Sequence, residues 1–157
     1  MTEVAEDVLP GTWVLDLRDA SARALAEMRA WASRQLTGLG EIHRGDVLLV
    51  ATELVANAFE HGGGPRHIQL WRSVSPCAVR IEVADLTYRQ PMMALPVARD
   101  PRGRGLLLVD RLAAAWGVEQ DPHRDGKTVW AHVPCYGTGR CRPVRGQRRH
   151  PVLIGHD

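Results

Sequence analysis

From Val47 to Phe59 the chain reads VLLVATELVANAF, in which Thr52, Glu53 and Asn57 are the only polar residues. Glu53 and Asn57 stand one helical turn apart, and His61 repeats the step, so the three side chains leave a helix in similar directions. An ionised carboxylate facing an apolar interior is costly unless it is paired or solvated. The economical reading is a face lining a polar cavity that holds water, a cation or a ligand. Asn57 offers a neutral carbonyl oxygen, a hard donor suited to Mg2+. Glu53 could accept a proton from a hydroxyl or a water. The plainer alternative is a helix whose edge meets solvent.

Three further clusters carry chemistry. Asp85 ends an apolar run, Arg-Ile-Glu-Val-Ala-Asp, where a carboxylate can accept a hydrogen bond from the exocyclic amine of adenine. Its plainer reading is a turn residue. Gly103-Arg104-Gly105 leads into an apolar segment starting at Leu106, and glycines at a helix start let backbone N–H groups approach phosphates. Gly126-Lys127-Thr128 resembles the end of a phosphate-binding P-loop, but Asp121 to Asp125 lacks the required glycine spacing and a strand pattern follows. That motif is rejected, and Lys127 is expected to be a solvated lysine at a strand edge.

The elements that must position these residues follow from periodicity. Thr12 to Leu17 alternates as a strand, with Trp13, Leu15 and Leu17 on one face. A helix over 22–35, capped by Asp19 or Ser21, carries Leu25, Met28 and Ala32 as an apolar stripe and ends at Gly38 and Gly40. A longer helix over 42–60 stops at Gly62-Gly63-Gly64. Segments 67–72 and 78–84 alternate as a hairpin about Ser73-Val74-Ser75-Pro76. Residues 87–102, with Pro91, Pro96 and Pro101, read as a loop. A helix over 105–116 with Gly117 as its stop, then a strand over 128–133, complete the series. This order predicts an α/β fold, a two-layer sandwich with a mixed, mostly antiparallel sheet and helices on one face.

Bulk properties set the limits. The 157 residues suffice for one domain: an N-terminal extension over 1–10, a domain over 11–134 and a basic tail over 135–157 expected to be disordered. The overall charge is +2, but five arginines follow Pro134 against the single Asp157, so the preceding residues are mildly acidic. Direct nucleic-acid binding is not expected, because the arginine tail lacks a reading helix. No apolar run reaches the roughly 18 residues of a membrane span, and the first seven residues are acidic without a basic residue, so cytoplasmic residence is expected. The three cysteines form no CxxC pair and the seven histidines are scattered, which argues for reduced thiols rather than a zinc site.

Taken in order, these motifs carry a resemblance. Glu53-Leu54-Val55-Ala56-Asn57-Ala58 with His61 looks like the N-box of the GHKL ATPase and kinase superfamily. Asp85 matches the start of its first glycine box, Gly103, Gly105 and Leu106 its second, and Gly126 with Thr128 its closing strand. Residues 12–134 most resemble the small anti-sigma-factor serine kinases. The resemblance implies a GHKL-like fold that binds ATP and Mg2+, with Asn57 as the Mg2+ ligand, Glu53 as catalytic base and Asp85 on adenine. Gly103, Arg104, Gly105 and Leu106 would border the phosphates beneath a lid over 87–102, and Thr128 would join the waters around adenine. The implied partners are a sigma factor and a STAS-type antagonist as phosphorylation substrate, and similar proteins often form homodimers. One departure stands out: the family's DxGxG is here Asp85-Leu86-Thr87-Tyr88-Arg89, without either glycine. The rival function is therefore a non-catalytic module in which nucleotide tunes partner binding.

Overall fold

The computed structural model describes residues 2–4, 11–19, 22–61, 63–74, 76–86, 104–120 and 126–135. In chain order the elements are β1 (Thr2–Val4), β2 (Thr12–Asp16), α1 (Ala24–Gln35), α2 (Glu41–His61), β3 (Pro65–Val74), β4 (Cys77–Asp85), α3 (Arg104–Leu112), β5 (Ala115–Gln120) and β6 (Lys127–Pro134). The strands form one six-stranded sheet in the order β1-β2-β3-β4-β6-β5. Every neighbouring pair is antiparallel, which sharpens the expected mostly antiparallel sheet.

Alternation along each strand builds the layers. Leu15, Ile68, Val83 and Val129 lie in register across four strands, and Leu70, Ile81 and Ala131 form the next row. All seven are buried. Their partners in the core include Met28 and Trp31 of α1 and Val50, Leu54 and Val55 of α2. Burying each large apolar side chain contributes about 1.5–3 kcal/mol. The opposite face is more polar: Arg80 lies 4.5 Å from the centroid of the Trp130 ring and donates to Glu82 at 2.8 Å. The helix α2 packs against β3, β4, β6, α1 and α3, which makes it the central element expected of such an apolar segment. Among the described residues no helix is long and apolar enough to cross a membrane.

Several boundaries differ from the sequence reading for identifiable reasons. The residue capping α1 is Arg23, whose carbonyl accepts from Glu27 N–H at 3.0 Å; Asp19 does not cap it, and Ser21 lies outside the described residues. That helix ends at Gln35, and Gly38 follows in a turn with φ 85°. Residues 2–4, expected to be an extension, form an edge strand paired with β2. The largest difference is β5, which takes up Trp116 and Gly117. The helix α3 stops at Leu112, and Ala114 N–H already donates to His132 of β6 at 2.8 Å. Gly117 is a strand residue because the Trp130 indole lies over it: a Cβ there would come within 2.9 Å of the ring. The glycine that resembles a helix stop instead makes room for a cross-strand aromatic.

Candidate functional site

Packing decides which face of α2 remains open. Val47, Val50, Ala51, Leu54, Val55 and Ala58 turn inward and are buried, while Leu49 and Phe59 remain 46% and 40% exposed. Glu53 and Asn57 lie at the border between these faces and are half-buried. Burial pushes the Glu53 carboxyl above the usual carboxylate range, and the nearby negative charge of Glu60 pushes it the same way. A carboxylate held in this state is easier to protonate than an exposed one, as a proton acceptor near neutral pH requires. One turn further on, His61 Nε2 lies 3.6 Å from Glu60 Oε2. The spacing of Glu53, Asn57 and His61 is therefore realised on one unbroken helix of 21 residues.

Asp85 lies at the end of β4, in phase with Val79, Ile81 and Val83 on the helix-covered face. Its register partner on β6 is Lys127. The Lys127 ammonium is 2.8 Å from Asp85 Oδ2, and both side chains are about 1% exposed. Lys127 is thus no solvated strand-edge residue. Alternation puts it in phase with Val129, Ala131 and Val133, and the carboxylate opposite compensates its burial. Gly126 completes the junction. It has φ 131°, and a Cβ at that position would come within 2.2 Å of the Asp85 carbonyl oxygen, so a side chain is sterically excluded.

The same alternation separates Thr128 from this pair. Thr128 pairs with Ala84 and falls on the face shared with Trp130 and His132, opposite to the face that holds Asp85 and Lys127. The residue facing the Asp85 carboxylate is Lys127. Leu106 turns its side chain inward. It is 2% exposed and belongs to the hydrophobic core, so it anchors the first turn of α3. Arg104 and Gly105 form the start of that helix rather than a loop before it. Gly103 and the expected lid over 87–102 lie outside the described residues.

Two signals escaped the sequence reading. Lys127 was readable in principle, because counting back by twos from Val133 places it on the buried face. The second is a group formed by His43, Cys77 and Cys135, whose ligand atoms all lie within 4.8 Å of one another. The reduced thiols expected from the cysteine spacing are not all present: Cys77 is disulfide-bonded, while Cys135 is a thiol.

The two ends of the expected nucleotide site differ in fit. Glu53 and Asn57 present a partly desolvated carboxylate and an amide on adjacent turns, oxygen donors that suit a hard divalent cation. The adenine end does not fit in the expected way, because the Asp85 carboxylate is already engaged by an internal ammonium. Similarity to known sequences bears on the whole domain. The profile of the family described as histidine kinase-like ATPase domain matches residues 16–133. The chain belongs to that family. Among curated proteins no match is found.

Proposed function

We propose that this chain, as a histidine kinase-like ATPase domain, is an ATP-binding anti-sigma regulatory factor that acts as a serine/threonine kinase on an antagonist protein. The observation that carries this reading is the Glu53–Asn57 pair: a carboxyl raised by burial, one turn from an amide, on the open border of the central helix. Asn57 would hold Mg2+ through its side-chain oxygen, and the ion would neutralise charge on the transferred phosphate. Glu53 takes the proton from the attacking hydroxyl of the antagonist. A sigma factor and a STAS-type antagonist are the partners that the anti-sigma resemblance supplies.

A second reading is favoured by a specific observation. The Asp85–Lys127 ion pair engages the carboxylate that would select adenine. The sequence also lacks the two glycines that would follow it. Both suit a regulatory module that captures its partner without phosphotransfer.

Glu53→Gln separates the two. General-base catalysis contributes about 10²–10⁴-fold, so this variant should lose nearly all transfer from radiolabelled ATP to the antagonist while keeping nucleotide and partner binding. Asn57→Ala should in parallel erase the difference between ATP titrations with and without Mg2+. Wild-type transfer rates in Glu53→Gln would sink its role as base. A wild-type protein that captures the sigma factor but never labels the antagonist would establish the non-catalytic reading.

A further inference from the structure

We infer that the reduced protein binds a zinc ion through His43, Cys77 and Cys135, at a site separate from the nucleotide site. The three residues come from distant parts of the chain and are brought together by the fold. His43 lies in the first turns of α2, Cys77 opens β4 and Cys135 follows β6. The antiparallel β4–β6 register, in which Ala78 pairs with Pro134, sets the two cysteines opposite each other, and Cys135 N–H donates to the Cys77 carbonyl at 3.0 Å.

The histidine is arranged as a metal ligand would be. It is buried, 4% exposed, and its Nε2 lies 2.8 Å from the Val133 carbonyl oxygen. A carbonyl can only accept, so Nε2 carries the proton. In the neutral ring Nδ1 then presents a lone pair, and it faces Cys77 Sγ at 3.7 Å. A backbone carbonyl that fixes the tautomer and aims the other nitrogen is the usual outer-shell support of a zinc-binding histidine. The spacing also agrees. With Zn–S near 2.3 Å and Zn–N near 2.0–2.1 Å, ligand atoms of a tetrahedral site lie roughly 3.5–3.8 Å apart. The observed Nδ1–Sγ separation of 3.7 Å is one such edge. The whole set spans no more than 4.8 Å, so small side-chain rotations would close it around an ion. Two thiolates and one imidazole are borderline-soft donors, which select Zn2+ over Mg2+ or Ca2+.

The disulfide at Cys77 marks the competing oxidised state. A sulfur bonded to sulfur is no thiolate, so zinc and the disulfide exclude each other. On binding Zn2+ the two thiols release two protons and the neutral imidazole releases none. No electron transfer accompanies metal uptake once the protein is reduced. The site is also remote from the phosphate chemistry. From His43 to Asn57 along α2 is about 21 Å, and from Cys77 to Asp85 along β4 is roughly 25 Å. It would fasten the beginning of α2 to the end of the sheet opposite Lys127, holding both layers by three bonds.

The test uses the full-length protein, stripped of metal, in a thiol-free reductant and titrated with Zn2+ and with Co2+. Reduced wild type should retain one equivalent of Zn2+ through desalting and show thiolate-to-Co2+ charge-transfer absorption. Cys135→Ser, half-exposed and at the end of the last strand, should weaken Zn2+ binding at least tenfold and reduce that absorption. Its folding is checked by circular dichroism and cooperative urea unfolding. His43→Gln provides a second variant that keeps both thiols, and it should also lower affinity. Cys141→Ser reports whether the third cysteine of the chain supplies the fourth ligand; the three-residue assignment requires that some binding survives in it. Oxidation to the disulfide should release the metal, and reduction should restore it. Absence of stoichiometric Zn2+ in reduced wild type would overturn the site. Equal affinity in folded Cys135→Ser, or equal binding by oxidised protein, would overturn it as well, showing adventitious binding to surface groups.

Discussion

Replacing Lys127 by methionine tests the buried ion pair most directly. With Nζ and Oδ2 2.8 Å apart, the attraction is about 6 kcal/mol at an effective dielectric near 20. Both side chains are about 1% exposed, so desolvation of the two ions, several kcal/mol each, offsets most or all of it. The pair therefore adds little net stability, yet either member alone is costly. Lys127→Met leaves a carboxylate in an apolar junction and should cost about 3–5 kcal/mol. Domains of this size are stable by roughly 5–15 kcal/mol, so the variant should fold with little margin. Asp85→Leu should destabilise to a similar degree by removing the ammonium's counter-charge. The double variant Lys127→Met/Asp85→Leu removes both charges and should lie near wild type or above it, because apolar replacement of buried pairs is often neutral or stabilising by about 1–4 kcal/mol. Urea unfolding of the four proteins closes the cycle. A Lys127→Met variant within about 0.5 kcal/mol of wild type, the range of an ordinary surface substitution, would refute a costly unpaired charge at this junction.

The same residue bears on nucleotide recognition. If Asp85 binds adenine as proposed, Lys127→Thr removes the ammonium that competes with the base for its carboxylate. A hydrogen bond to a charged group is worth about 1.5–3 kcal/mol, so ATP should bind at least tenfold more tightly than to wild type. Because ligand that binds the folded state stabilises it by mass action, the variant should also gain more thermal stability from ATP than wild type does. Equal ATP affinity in the two proteins would show that Lys127 does not compete with the base.

Two other substitutions follow from the described geometry. Glu53 has its folded-state pKa raised by burial, so its charge opposes folding. The contribution of its neutral form is fully present below the unfolded pKa and is lost as pH rises through the folded value. Glu53→Gln should therefore be more stable than wild type at about pH 7, with the advantage fading toward about pH 4; a pH-independent difference in urea midpoints would contradict the assignment. Gly126→Ala meets both a φ of 131° and a Cβ within 2.2 Å of the Asp85 carbonyl oxygen, so it should cost at least about 2 kcal/mol in unfolding free energy. A near-neutral effect would mean that the junction relaxes freely.

How much of this was legible in the sequence depends on the range of the signal. The long helix with Glu53, Asn57 and His61 could be read because its period is local and its flanking glycines are explicit. The hairpin of β3 and β4 could be read for the same reason. The strand β5 could not, since Trp116 and Gly117 continue the apolar pattern of α3 and their assignment depends on a ring from β6. Lys127 is an intermediate case. Alternation alone places it on the buried face, but a buried lysine is credible only with its counter-charge in view. That counter-charge, Asp85, becomes its neighbour only through the pairing of β4 with β6, across α3 and β5.

The same non-sequential pairing explains why both charged and sulfur-bearing residues gather at opposite ends of one strand pair. Strands β4 and β6 run antiparallel, so the start of one lies beside the end of the other at both ends. At one end this brings Asp85 to Lys127; at the other it brings Cys77 to Cys135, where His43 of α2 joins them. One register therefore creates both clusters. A one-residue slip of β6 against β4 would turn Lys127 away from Asp85 toward the opposite face and separate the two cysteines, while taking Val129, Ala131 and Val133 off the core. Glu53 and Asn57 need no such pairing, because one helix holds them. Their orientation toward the sheet nevertheless depends on α2 seating its apolar face on β3, β4 and β6. The candidate chemistry of α2 is thus local in sequence, but its placement depends on the register of the sheet on which the helix packs.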